Sequence, residues 1–96
     1  MELIGVCKMS VDAEMIQSPV FYRTKKRTEQ TVDYDVKIAA VEGHGWKRMS
    51  VADARLMLAA YASMPIEAQL IFNSVRPYKA LEICELMRDK KKIRMS

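Results

Sequence analysis

Between Thr31 and Val41 the chain alternates. Val32, Tyr34, Val36, Ile38 and Ala40 take one phase, and Asp33, Asp35 and Lys37 take the other. A period of two sends successive side chains to opposite faces of a strand. The chain is thereby committed to a sheet with one face in a core and one in water. Val32, Tyr34, Val36 and Ile38 are expected to be buried, and Asp33, Asp35 and Lys37 exposed.

A second β-favouring stretch, Val20–Thr24, lies just upstream. The simplest arrangement is a hairpin whose turn is built from the basic run Arg23 to Thr28. No Asn-Gly or Asp-Gly pair marks that turn, which leaves its geometry open. Leu3 to Met9 is short and mostly apolar and is read as a further, N-terminal strand. Ser10 to Gln17 is either one helical turn capped by Ser10 or a loop, ended by Pro19.

Downstream the pattern turns helical. Ser50 is placed as an N-cap whose hydroxyl accepts a first-turn N–H, with Asp53 completing a shortened capping box. From Val51 to Ser63 only Asp53 and Arg55 are charged, so this helix should be central, with Leu58 and Tyr61 among the most buried residues. Pro65 ends it or opens a short second helix carrying Ile66, Leu70 and Ile71. Pro77 opens a third, where Ala80, Ile83, Cys84 and Met87 share a stripe opposite Glu82, Glu85 and Asp89. The expected class is α+β: a small antiparallel sheet (N-terminal strand plus β-hairpin) packed against three C-terminal helices.

Ninety-six residues, half of them apolar, suit a single domain over 1–96, ending in a basic tail at 88–96. No stretch approaches the roughly 20 apolar residues of a membrane span, and the N-terminus lacks the pattern of a signal peptide. Two cysteines make no disulfide framework, so a cytoplasmic location is expected. The net charge of +4 resides entirely in Lys90, Lys91, Lys92 and Arg94, because the residues before them balance. A neutral body with a basic tail is a weaker nucleic-acid signature than a basic body.

Catalytic and metal chemistry find little support. His44 stands alone between Gly43 and Gly45, and Cys7 and Cys84 sit inside apolar patterns, where a cysteine is usually a small core residue. Asp33 and Asp35 could pair as acid and base, but the wet face of a strand explains them without chemistry. No spaced ligand set marks a metal site. Neither a cofactor nor an enzyme is expected.

Binding finds more. Arg23, Lys25, Lys26 and Arg27 form a basic hairpin tip flanked by aromatics, suited to phosphates, to an acidic protein surface or simply to water. Trp46, beside Lys47 and Arg48, either closes the core or anchors a partner. Lys90, Lys91, Lys92 and Arg94 either extend the last helix or are held by a partner. These eleven residues are the expected partner-binding set. Compact size and localised charge resemble, in style and not in motif, small accessory proteins of bacteria and phages. The leading expectation is a regulator or inhibitor that binds a larger protein. The alternative is a protein that contacts nucleic-acid phosphates through the hairpin tip and tail.

Overall fold

The computed structural model describes residues 1–27, 32–38 and 43–93. Helix α1 (Leu3–Met15) is followed by strands β1 (Val20–Arg27), β2 (Val32–Ile38) and β3 (Lys47–Arg48), then helices α2 (Val51–Ala62), α3 (Ile66–Phe72) and α4 (Pro77–Asp89). The strands form an antiparallel sheet in the order β2-β1-β3. The class is α+β, with the hairpin and the three C-terminal helices where their patterns placed them. Of the expected strand, Thr31, Ala39, Ala40 and Val41 lie outside the described residues, as does the turn at 28–31.

The N-terminal segment corrects the expectation, because Leu3–Met9 is helix, not strand. The buried positions are Leu3, Ile4, Val6, Cys7, Ser10 and Ala13, a helical stripe whose C-terminal half is made of small residues. Ser10 caps nothing. It is buried in mid-helix, where its hydroxyl donates to the Met49 carbonyl at 3.0 Å and ties α1 to the chain between β3 and α2. The helix ends with Gln17 in the left-handed region at φ 57°, while Ser18 N–H reaches back to the Ala13 carbonyl and Gln17 N–H to that of Glu14. That is a Schellman closure, made here without the usual glycine.

Helix α1 is the helix that touches both β1 and β2, and α2 packs against α1 and α4. Tyr22 pairs with Val36 and Thr24 with Tyr34 across the strands, which sets one face of the sheet toward the helices. On that face Val32 and Tyr34 are buried and Val36 is partly so, but Ile38 is 51% exposed. The alternation is in the expected phase, and burial fades along β2 toward Ile38. Asp33 and Lys37 are exposed as expected, while Asp35 is half-buried.

In α2 the most buried residues are Ala54, Leu56, Met57 and Ala60, while Leu58 and Tyr61 are only partly covered. A helix that is apolar all round carries no phase in its sequence. Close approach to α1 selects the small side chains of Ala54 and Ala60. Ser50 occupies the N-cap position, but its hydroxyl makes no capping hydrogen bond, so Ser50→Ala should change stability little.

Candidate functional site

The basic run divides on folding. Arg23 to Arg27 lies within β1 and not at a turn, because the strand runs on past the point where the sequence suggested the hairpin tip. Register sets Arg23 opposite Asp35, and the bulge between Thr24 and Lys26 inserts Lys25 beside that pair. Arg23 Nε and Lys25 Nζ lie 3.2 and 3.5 Å from the Asp35 carboxylate. The Arg23 guanidinium also sits 4.7 Å from the centre of the Trp46 ring. Two of the four cations are thus answered locally. By backbone register Lys26 and Arg27 stand opposite Asp33 and Val32.

Trp46 arrives through a tight turn, in which its N–H donates to the Gly43 carbonyl at 3.1 Å. The central residues His44 and Gly45 have φ of 42° and 87°, both left-handed, as a primed turn requires. The ring is half-buried and outside the main core, so it neither closes that core nor stands free. Just beyond it, Lys47 and Arg48 part company. Arg48 pairs with Phe21 and borders a cleft with the end of α1, while Lys47 pairs with Tyr22 and looks toward α4.

Lys47 there meets a residue that the sequence did not single out. A cleft of about 350 Å³ lies between the β1–β3 side of the sheet and the start of α4, and Tyr22, Thr24, Lys47, Arg76, Pro77 and Tyr78 line it. Arg23 borders it with its guanidinium engaged by Asp35 and Trp46. Among the described residues no carboxylate lines this cleft, and neither Lys47 nor Arg76 has an anionic partner. Burial raises the Tyr22 phenol above its ordinary pKa, with smaller contributions from Cys7 and Asp53, so it stays protonated at neutral pH.

Next to the cleft lies an apolar surface. Ile66, Leu70 and Ile71 are 71%, 70% and 66% exposed, and only Phe72 of α3 is buried. Ile71 borders an apolar hollow of about 180 Å³ with Met64, Ala68, Phe72, Val75 and Ile83, and Leu70 borders a second hollow with Met1 and Val32. Contacts to α2 tie the helix down despite this exposure. Gln69 Nε2 donates to the Tyr61 carbonyl at 2.9 Å, and the Tyr61 and Phe72 rings pack 6.2 Å apart.

Between patch and cleft runs the segment Asn73–Arg76, and it too is pinned. Asn73 Oδ1 accepts the Ile4 N–H at 3.3 Å, so it satisfies a first-turn donor of α1 that Glu2 leaves uncapped. The Tyr34 hydroxyl donates to the Val75 carbonyl at 2.7 Å. Val75 then lines the apolar hollow and Arg76 the cleft.

The tail does not continue α4. That helix stops at Asp89, Lys91 adopts φ 55°, Lys92 N–H returns to the Met87 carbonyl at 2.8 Å, and Ile93 packs on the core. Lys92 lies in a hollow with Ala59, Ala62 and Ser63 at the end of α2, where a cation offsets the negative pole of the helix. Lys90 and Lys91 are exposed, and Arg94 lies outside the described residues.

Among the remaining chemical groups, Cys7 and Cys84 lie near enough for Cys84 to add to the effect of burial on Cys7. Both cysteines are buried and free, and burial pushes the Cys7 thiol up to about 12 and the Cys84 thiol to about 11. Asp35 is engaged by two cations, and His44 is exposed in its turn. Among the described residues no group of acids, cysteines and histidine is placed to hold a metal, and no helix is long and apolar enough to cross a membrane.

Arg76, Tyr78, Ile66, Leu70 and Ile71 join the candidate surface without having been singled out as site residues. Their signal was three large aliphatics within a seven-residue helix too short to bury them all. No known family, curated protein or solved structure matches the chain.

Proposed function

We propose that this chain is a non-enzymatic regulator or inhibitor that acts by docking on a larger protein through the exposed face of α3. The observation that carries this reading is the exposure of Ile66, Leu70 and Ile71 on one short helix that α2 holds through Gln69 and Phe72. Large aliphatics gathered at a surface mark interaction sites more often than isolated exposed residues do. Covering one such side chain is worth about 1.5–3 kcal/mol. The partner is a protein with a complementary apolar surface and with acidic residues within reach of Lys47 and Arg76, which line the cleft beyond the Asn73–Arg76 segment and have no anionic partner among the described residues. Cations in that position speed encounter more than they add affinity. Thiols that stay protonated and an Asp35 held between cations support a role without catalysis.

The phosphate-binding alternative loses support from the placement of its own residues. Arg23 and Lys25 share Asp35, which weighs against a continuous positive track through these two residues.

Affinity capture from nuclease-treated lysate tests the reading. One protein should be recovered in near-stoichiometric amount by the wild type and lost with Leu70→Asp or Ile66→Asp. Replacing Lys90, Lys91 and Lys92 with alanine should leave recovery unchanged. Recovery that ignores the α3 substitutions, or tight salt-sensitive binding of generic DNA or RNA, would overturn it. Sedimentation of the purified chain at several concentrations separates a foreign partner from a second copy, since self-association lost in Leu70→Asp would assign the patch to a homodimer.

A further inference from the structure

The cleft between the sheet and the start of α4 has a chemistry of its own. Lys47 and Arg76 come from different elements, β3 and the residue before α4, and line one concavity of about 350 Å³. The Tyr22 and Tyr78 side chains complete its apolar lining, and Tyr78 is exposed enough to lie against a ligand. Arg23, which also borders the cleft, is answered by Asp35. Lys47 and Arg76 line the same cleft with no anionic partner among the described residues, so an anion from outside would relieve their mutual repulsion.

We propose that this cleft seats an acidic side chain, with its flanking residues, from an extended segment of the docking partner. The inference rests on the protein-docking reading above and adds a second, chemically distinct contact to it. Arg76 offers a planar fork that matches a carboxylate with two parallel hydrogen bonds, and Lys47 supplies a second positive charge. The tyrosines favour a peptide over a bare ion, because they give apolar cover to the neighbouring backbone and side chains. A nucleic-acid backbone fits less well. It would carry its charge beyond Lys47 and Arg76, which line the cleft unpaired among the described residues. A short acidic segment can end inside.

The test titrates isotope-labelled protein with a capped hexaglutamate peptide, follows the amides by NMR, and repeats the titration with a thymidine oligonucleotide of equal charge. Saturable shifts are expected at Tyr22, Lys47, Arg76 and Tyr78. The Lys47→Ala/Arg76→Ala double variant should weaken the peptide roughly tenfold or more, the scale of losing a partly desolvated charge pair. Single variants serve if the double variant loses its dispersed spectrum. Leu70→Asp should leave peptide binding untouched. Unchanged affinity in the charge variants would overturn the proposal, as would tighter binding of the oligonucleotide at the same amides. The two readings can fail separately. Peptide binding with capture indifferent to α3 sinks only the docking reading, and α3-dependent capture with no peptide binding sinks only this one.

Discussion

Helices α1 and α3 use similar residues to opposite ends. Each carries several large aliphatics and little charge, yet α1 buries Leu3, Ile4, Val6 and Cys7 whereas α3 buries only Phe72. The difference lies in what each helix faces. α1 lies between the sheet and α2 and so is covered on two sides, while α3 is held through Gln69 and Phe72 and leaves Ile66, Leu70 and Ile71 to water. Apolar content in a helix therefore says that something must cover it, not that the same chain does so. In α1 the cover is internal and holds the fold together. In α3 it is left for another molecule.

The largest effect should come from placing charge in α1. Val6→Asp buries an unpaired carboxylate against the sheet and α2, a cost of several kcal/mol that rivals the whole stability of a small domain, and circular dichroism should find it unfolded. Ser10→Ala is expected next, at about 1–3 kcal/mol by chemical denaturation, since it strands the Met49 carbonyl that Ser10 satisfies.

A third outcome depends on pH. The Cys7 and Cys84 thiols are raised by burial from an ordinary value of 9.0 to about 12 and about 11. Above pH 9 the unfolded chain releases protons that the folded chain keeps, so their contribution to stability is complete below that pH and falls as pH rises toward 11 and 12. Denaturation midpoints should decline over that window, and less steeply in Cys84→Ala. The burial-raised Tyr22 phenol acts in the same direction. At pH 8 a thiol reagent should label the native protein far more slowly than the denatured one.

The smallest effect belongs to α3, where Leu70→Asp should shift stability by no more than about 0.5 kcal/mol, as exposed substitutions do. A Leu70→Asp protein that melts as early as Val6→Asp would erase the contrast between the two helices.

Legibility in the sequence follows from how much contrast each element carries. β2 could be read because its two faces meet different surroundings, so Val32 and Tyr34 differ visibly from Asp33 and Lys37. The starts of α2 and α4 were marked by Ser50 and Pro77 even though the Ser50 hydroxyl makes no cap. α1 was hidden because its buried stripe continues through Ser10 and Ala13, neither of them strongly apolar, while Met9 and Val11 fill the gaps and blur the period. The basic run at Arg23 was plain as charge. Its partial neutralisation depended on a strand register that brings Asp35 opposite. The cleft could not be read at all, since Lys47 and Arg76 are distant in the chain and come to line one concavity only in the folded protein.

The bonds that fix Asn73 and Val75 have a consequence for how a partner would be held. Tyr34 and Asn73 tie down a four-residue segment whose two sides are the patch and the cleft, and so set the spacing between those surfaces in the fold. A partner that has engaged one surface finds the other at a set distance, and its second contact becomes an intramolecular event governed by effective concentration. Two individually weak footholds on such a mount act as one lasting attachment. A partner whose own two features are spaced differently gains only one of them, so the clamp serves as a ruler as much as a support.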